Sequence, residues 1–242
     1  MIKFFRKIRQ NLIMENKTSK YFKYAIGEIF LVMVGILLAL QVNNWNENRK
    51  LNQVELTVIK ELKNDLIFSH GELDTINMYN QRYLNDYKLI KTYIDENRPQ
   101  DLTLNKAFDV LDIWEEPYLP TMAYESLKAK GIDLIKNDSL KRHIVTVYDF
   151  NIHGQVENMN EWEWSFNQNT TQKYMVGNIR RDINENLARP NDFEKLKKDD
   201  EFVNFLHILI LMRESTMDIN NRAKKAISGL IEHLENEIES RK

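Results

Sequence analysis

The chain has 242 residues, enough for one well-filled core with an appendage. It is 43% hydrophobic and 29% charged, a folded composition, and its seven glycines and four prolines favour long helices over tight turns. Cysteine is absent, which excludes disulfides, thiolate metal sites and a cysteine nucleophile. The net charge of −2 hides an asymmetry: residues 1–23 carry seven Lys/Arg and one acid, whereas from Asn43 onward 27 basic residues face 34 acidic ones. That acidic remainder argues against a nucleic-acid partner, whose phosphates need a basic face.

In chain order, residues 1–23 come first, a cytoplasmic basic segment. Ile2, Phe5, Ile8, Leu12 and Ile13 gather on one helical face with Arg6, Lys7 and Arg9 elsewhere, the pattern of a helix lying on an anionic membrane surface. Residues 24–42 follow as a predicted transmembrane helix. The uninterrupted apolar run is Ile29–Leu40, and the flanks extend it to a length of about 27 Å at roughly 1.5 Å per residue. Tyr21 and Tyr24 at one end and Trp45 at the other are expected interfacial anchors. A cleaved signal peptide fits less well, because no small-x-small pair follows the core. Seven basic residues precede the helix and only Arg49, Lys50 and Lys60 fall in the twenty after it, so the N-terminus is expected in the cytoplasm. Within the span, Glu28, Val32, Gly35 and Ala39 share one stripe, a candidate contact with a second membrane helix.

The segment Ser19-Lys20-Tyr21, Tyr24-Ala25-Ile26-Gly27-Glu28-Ile29, Gly35-Ile36-Leu37 and Ala39-Leu40-Gln41-Val42-Asn43-Asn44-Trp45-Asn46 resembles the N-terminal signature of an uncharacterised family of single-pass proteins frequent in Bacteroidota. Tyr124-Glu125-Ser126-Leu127, Gly131-Ile132-Asp133-Leu134-Ile135 and Leu140 are similar to that family's middle motif. The resemblance implies an inner-membrane protein with a periplasmic domain and implies no activity.

Residues 43–242 are expected to form that periplasmic domain. Leu51, Val54, Val58, Leu62, Leu66, Leu73, Ile76, Tyr83, Tyr87, Ile90 and Ile94 recur at three- and four-residue steps, predicting a long amphipathic helix that Gly71 can kink and Pro99 ends. A short helix is predicted near Leu104–Trp114, stopped by Pro117 and Pro120. Thr121 is the expected cap of a helix over Met122–Lys130, with Gly131 at its C-terminus. Asp138 is the expected cap of another long helix running past Trp162, and Pro190 breaks the chain. The last helix is predicted over Asp200–Glu239, with Phe202–Met212 apolar nearly all round and so assigned to the central core, His207 included. No segment alternates as a strand should. The fold class read from this pattern is all-α, a transmembrane helix followed by an antiparallel helical bundle.

Catalytic motifs are not found: the sequence holds no phosphate loop, HExxH, GxSxG or EF-hand pattern, and the chain reads as a non-enzyme without a cofactor. His153, Glu157 and Glu161, four apart, are the best metal-like column, set against the commoner reading of a solvated polar face; His233 and Glu237 are a weaker pair. Trp162 and Trp164 point in different directions on a helix, so one is expected at a partner or ligand surface. Asp74-Thr75-Ile76 and Asp138-Ser139-Leu140 match a short pattern resembling periplasmic O-glycosylation sites, at Thr75 and Ser139. The leading expectation is an interaction or scaffold module with a protein partner or a second copy, and the alternative is a sensory module signalling through its membrane helix.

Overall fold

The computed structural model describes residues 18–182 and 187–241, with side chains from Phe22 onward apart from Tyr24. The amphipathic segment and the side chains of Tyr21 and Tyr24 therefore lie outside the described residues. Helix accounts for 82% of the structure, so the fold is all-α.

The chain divides into two units, Met1–Glu55 and Leu56–Lys242. Helix α1, Thr18–Asp95, contains that boundary and passes through Gly71 without a break. In the first unit, Ile29–Val34 and Ile36–Leu38 are all exposed. It holds the helix, among the described residues, that is long and apolar enough to cross a membrane, and none of its apolar stretch is buried. Val32 and Ala39 are exposed, and a Cβ on Gly35 would meet nothing within 4 Å. Trp45 is exposed, with the Arg49 guanidinium 5.7 Å from its ring centre.

In the second unit, α1 ends at Asp95, and Asn97 takes a positive φ of 50° two residues before Pro99. Helix α2 is Leu102–Phe108, shorter than the sequence suggested, because turns replace it from Asp109 to Asp112. Asp101 caps it by accepting from the Leu104 amide at 2.9 Å. Helix α3 has the predicted bounds, Met122–Lys130, but the Thr121 side chain makes no capping bond. Gly131 leaves it with φ +96°, a conformation that L side chains rarely adopt.

The next helix is continuous from Asp138 to Asn178 but not uniform. It comprises α4 (Asp138–Val145), a wide π-type stretch at Thr146–Glu157, α5 (Asn158–Phe166), a second π stretch at Asn167–Thr171, and α6 (Gln172–Asn178). Its cap is Asn137 rather than Asp138: the Asn137 side-chain Oδ1 accepts from the Ser139 and Leu140 amides at 3.0 and 3.2 Å. Gly154 suits the first wide stretch, since a Cβ there would press to 3.1 Å from the Asp149 carbonyl.

A short hairpin then corrects the expectation of no strands. Strands β1 (Ile179–Asp182) and β2 (Leu187–Pro190) pair antiparallel, Ile179 opposite Pro190. The hairpin packs on α2 and buries Ile179 and Ala188. Pro190 closes β2, where its missing N–H costs no internal ladder bond. Helix α7, Phe193–Leu196, leads to α8, which spans Asp200–Glu239 as predicted and is capped by Asp199.

Helices α1 and α8 run antiparallel: Lys63 bonds Glu235 (3.3 Å), Asn77 bonds Asn221 (3.0 Å) and Lys88 bonds Glu214 (2.6 Å). The interior holds two hydrophobic clusters. One is aliphatic and joins Leu62, Leu66, Leu73, Leu127, Ile144, Ile152, Ile227 and Leu230. The other is aromatic and joins Tyr87, Phe108, Tyr174, Phe193, Phe202 and Phe205, with Phe108 and Phe202 stacked at 6.0 Å. The Phe202–Met212 run is not apolar core all round. His207 and Ile208 are exposed, and Leu211 is 62% exposed.

Candidate functional site: a groove above a buried polar belt

Between the two clusters both long helices turn polar inward. Asn80 on α1 and Arg213, Thr216 and Asn220 on α8 are buried, as is Glu163 on α5. Glu163 is only 2% exposed, so its carboxylate must be bonded to be tolerable there. Arg213 supplies the bond: its Nη1 donates to Glu163 Oε2 at 2.7 Å and to Asn80 Oδ1 at 3.1 Å. The Thr216 hydroxyl donates to the other Glu163 oxygen. The same guanidinium donates through Nη2 to the Ile113 carbonyl at 3.0 Å.

That last bond ties the belt to the segment between α2 and α3. This segment is held from several sides. Asn167 donates to the Asp112 carbonyl at 3.0 Å, and Arg181 from the hairpin bonds Asp109 at 2.9 Å and also pairs with Asp112. Tyr83 donates to Glu115 at 2.9 Å, and burial together with that bond pushes its phenol up to about 12. The Tyr118 amide donates to Glu72 at 3.2 Å, and its ring meets Phe68 edge-on at 6.1 Å. A connection of this length without helix or strand owes its single shape to such ties.

One wall of an open groove is this segment and the other is α5 together with Glu157 just before it. The groove has two cavities of about 470 and 500 Å³ that share Glu116, Asn160 and Glu161. Pro117, Tyr118, Leu119 and Glu157 complete one; Trp114, Trp164 and Ser165 complete the other. The lining carries three carboxylates and no lysine or arginine. Asn160 is 4% exposed, and its amide has no hydrogen-bond partner among the described residues. The Trp114 indole N–H is buried without an acceptor there as well.

The helical turn explains how α5 serves belt and groove together. Glu163 points inward while its neighbours Trp162 and Trp164 are each 52% exposed. Asn160, Glu161 and Trp164, at steps of one and three, border the groove. Of the residues singled out from sequence, Trp164, Glu157 and Glu161 thus come together, though not as a metal site. His153 is exposed and bonds Glu157 at 2.6 Å, which raises the imidazole pKa. Among the described residues no group of three His, Asp or Glu is arranged to hold a metal ion. Trp162 lies outside the groove lining, tilted against Phe166 at 6.4 Å. His233 faces His143, Nδ1 to Nδ1 at 3.3 Å, rather than Glu237.

Sequence reasoning missed Trp114, read only as the end of a short helix, and Glu116 and Tyr118, which flank the proline that stops it. It also missed Asn160, Glu163 and Arg213. One signal was present: Glu163 stands between two tryptophans on a helix, so if both indoles face out, the acid faces in.

Residues 28–107 match the model of a family of unknown function (DUF6090), about one third of the chain. The match takes in the helix from Glu28 and all but the last residue of α2, and stops short of the Tyr124–Leu140 motif. No curated protein and no solved structure matches the chain.

Proposed function

We propose that this protein is an interaction module of the cell envelope, held in the inner membrane by its first helix, with residues beyond Asn44 in the periplasm. The observation that carries the reading is the groove: an exposed, acid-lined cleft with Trp114, Tyr118 and Trp164 on its walls, its loop wall tied down by the Arg213–Ile113 bond. A preformed concave site with aromatic anchors is the surface on which binding energy concentrates. The exposed apolar stretch supports the anchor, and the uneven split of basic residues around it supports the orientation.

Site-specific photo-crosslinking in intact membranes tests this. A photoreactive residue at Tyr118 or Trp164 is expected to yield a discrete adduct, whereas one at exposed Ser139 yields none. Identical adduct patterns from all three positions, or none from any, would refute the groove as the interaction site. The sensory alternative keeps one point in its favour: Glu72, which binds the Tyr118 amide, lies on α1, the helix that also carries the apolar stretch. Whether an occupied groove changes the reactivity of a cysteine at Asn43 distinguishes a sensor from a passive module.

A further inference from the structure

We infer that the groove takes an extended, lysine- or arginine-bearing peptide segment of the partner protein. This rests on the reading of the groove as an interaction site and adds the chemistry of what it holds.

Three independent features converge on that occupant. The first is charge. Glu116 and Glu161 line the groove with no cation paired to either among the described residues, and the domain as a whole is acidic. An incoming ammonium or guanidinium would give these carboxylates their charge-assisted bonds. The second is the aromatic wall. Trp114, Tyr118 and Trp164 line the groove, and aromatic side chains there can take a cation and the methylene stem that carries it. A bare metal ion or a simple salt would leave that surface unused.

The third feature separates a peptide from a small ammonium compound. Asn160 is buried, lines both cavities and has no partner among the described residues. Its carboxamide presents one acceptor and two donors side by side, the complement of a peptide bond's N–H and C=O. With no partner among the described residues, both groups of the carboxamide are free to bond an occupant of the groove. A free polyamine can donate to the carbonyl oxygen but has nothing to accept from the NH₂.

The test uses the full chain in phosphatidylcholine nanodiscs, which present no net anionic charge of their own to a basic probe. Binding of a fluorescein-labelled Ala-Lys-Ala-Lys-Ala-Lys peptide is followed by polarisation. The same measurement is made with Lys replaced by Gln, with Lys replaced by Glu, and with spermidine as competitor. The lysine peptide is expected to bind, more weakly as salt rises, and the Gln and Glu peptides are not. The surface double variant Glu116→Gln/Glu161→Gln is expected to weaken binding about tenfold or more. Asn160→Ser, checked for an unchanged melting temperature, is expected to weaken the peptide while leaving the small effect of spermidine unaltered. Equal binding to wild type and the double variant, equal binding of the Glu peptide, spermidine binding without peptide binding, or no binding at all would each overturn the inference. Groove-specific crosslinks that persist beside any of these results would leave the broader interaction reading standing, whereas loss of both would remove it.

Discussion

The two hydrophobic clusters of the second unit differ in kind, and so does what surrounds them. The cluster of Leu62, Ile144 and Leu230 is almost wholly aliphatic, closed by long helices and bordered by few irregular segments. The cluster of Phe108, Phe202 and Phe205 is aromatic and is finished by a turn, a hairpin and a one-turn helix. The polar belt lies between them, and the groove opens at its level, with Ile113 bonded to Arg213 and Glu163 beside Trp164. A uniform apolar bundle would be simpler to build. A buried ion pair is often no more stabilising than well-packed hydrophobic residues of the same shape. Its placement here beneath the Ile113–Leu119 segment ties the belt to the shape of the groove as well as to the helices it joins.

Breaking the belt from one side should have the largest effect. Glu163→Ala leaves the Arg213 charge buried and uncompensated, an expected loss of about 3–5 kcal/mol in unfolding free energy. The paired change Glu163→Leu/Arg213→Met is expected to recover most of that in denaturant titrations. Nearly the same size is expected for Phe202→Ala, about 3–5 kcal/mol, because a fully buried ring leaves a cavity among stacked neighbours. Ile227→Val in the aliphatic cluster removes one methylene and should cost roughly 0.5–1.5 kcal/mol by the same titration.

A smaller effect separates the clusters by pH. His143 and His233 meet at the edge of the aliphatic cluster, and burial, reinforced by His233, holds His143 below its usual 6.5. Glu237, bonded to Asn137 and Arg241, lies one turn beyond His233. A histidine depressed in the folded state contributes stability that is present above pH 6.5 and is lost as pH falls through its folded pKa. Melting temperature should therefore drop on acidification from neutrality, and His143→Gln should flatten that slope. The smallest effect is expected at the groove rim, where Trp164→Ala should shift stability within about 0.5 kcal/mol.

What the sequence made legible follows the same division. The helices at Met122–Lys130 and Asp200–Glu239 were readable, the first because Gly131 marks its end and the second because its apolar residues recur over a long stretch. The hairpin was not: Ile179-Arg180-Arg181-Asp182 does not alternate, and its pairing depends on packing against α2 rather than on local preference. His207 was placed in the core because its neighbours are apolar, yet the helix has one face outward at that level. The groove was half visible, through Trp164, Glu157 and Glu161. Its other half was hidden because nothing local reveals that Ile113 bonds an arginine one hundred residues away.

Hydrogen exchange on the full chain in nanodiscs, comparing wild type with Glu163→Leu/Arg213→Met, bears most directly on the link between belt and groove. The expected result is faster exchange at Ile113–Tyr118 with unchanged protection around Leu62, Ile144 and Leu230, together with weaker binding of the lysine peptide. Unchanged protection of Ile113–Tyr118 in a variant that lacks the belt would contradict the account.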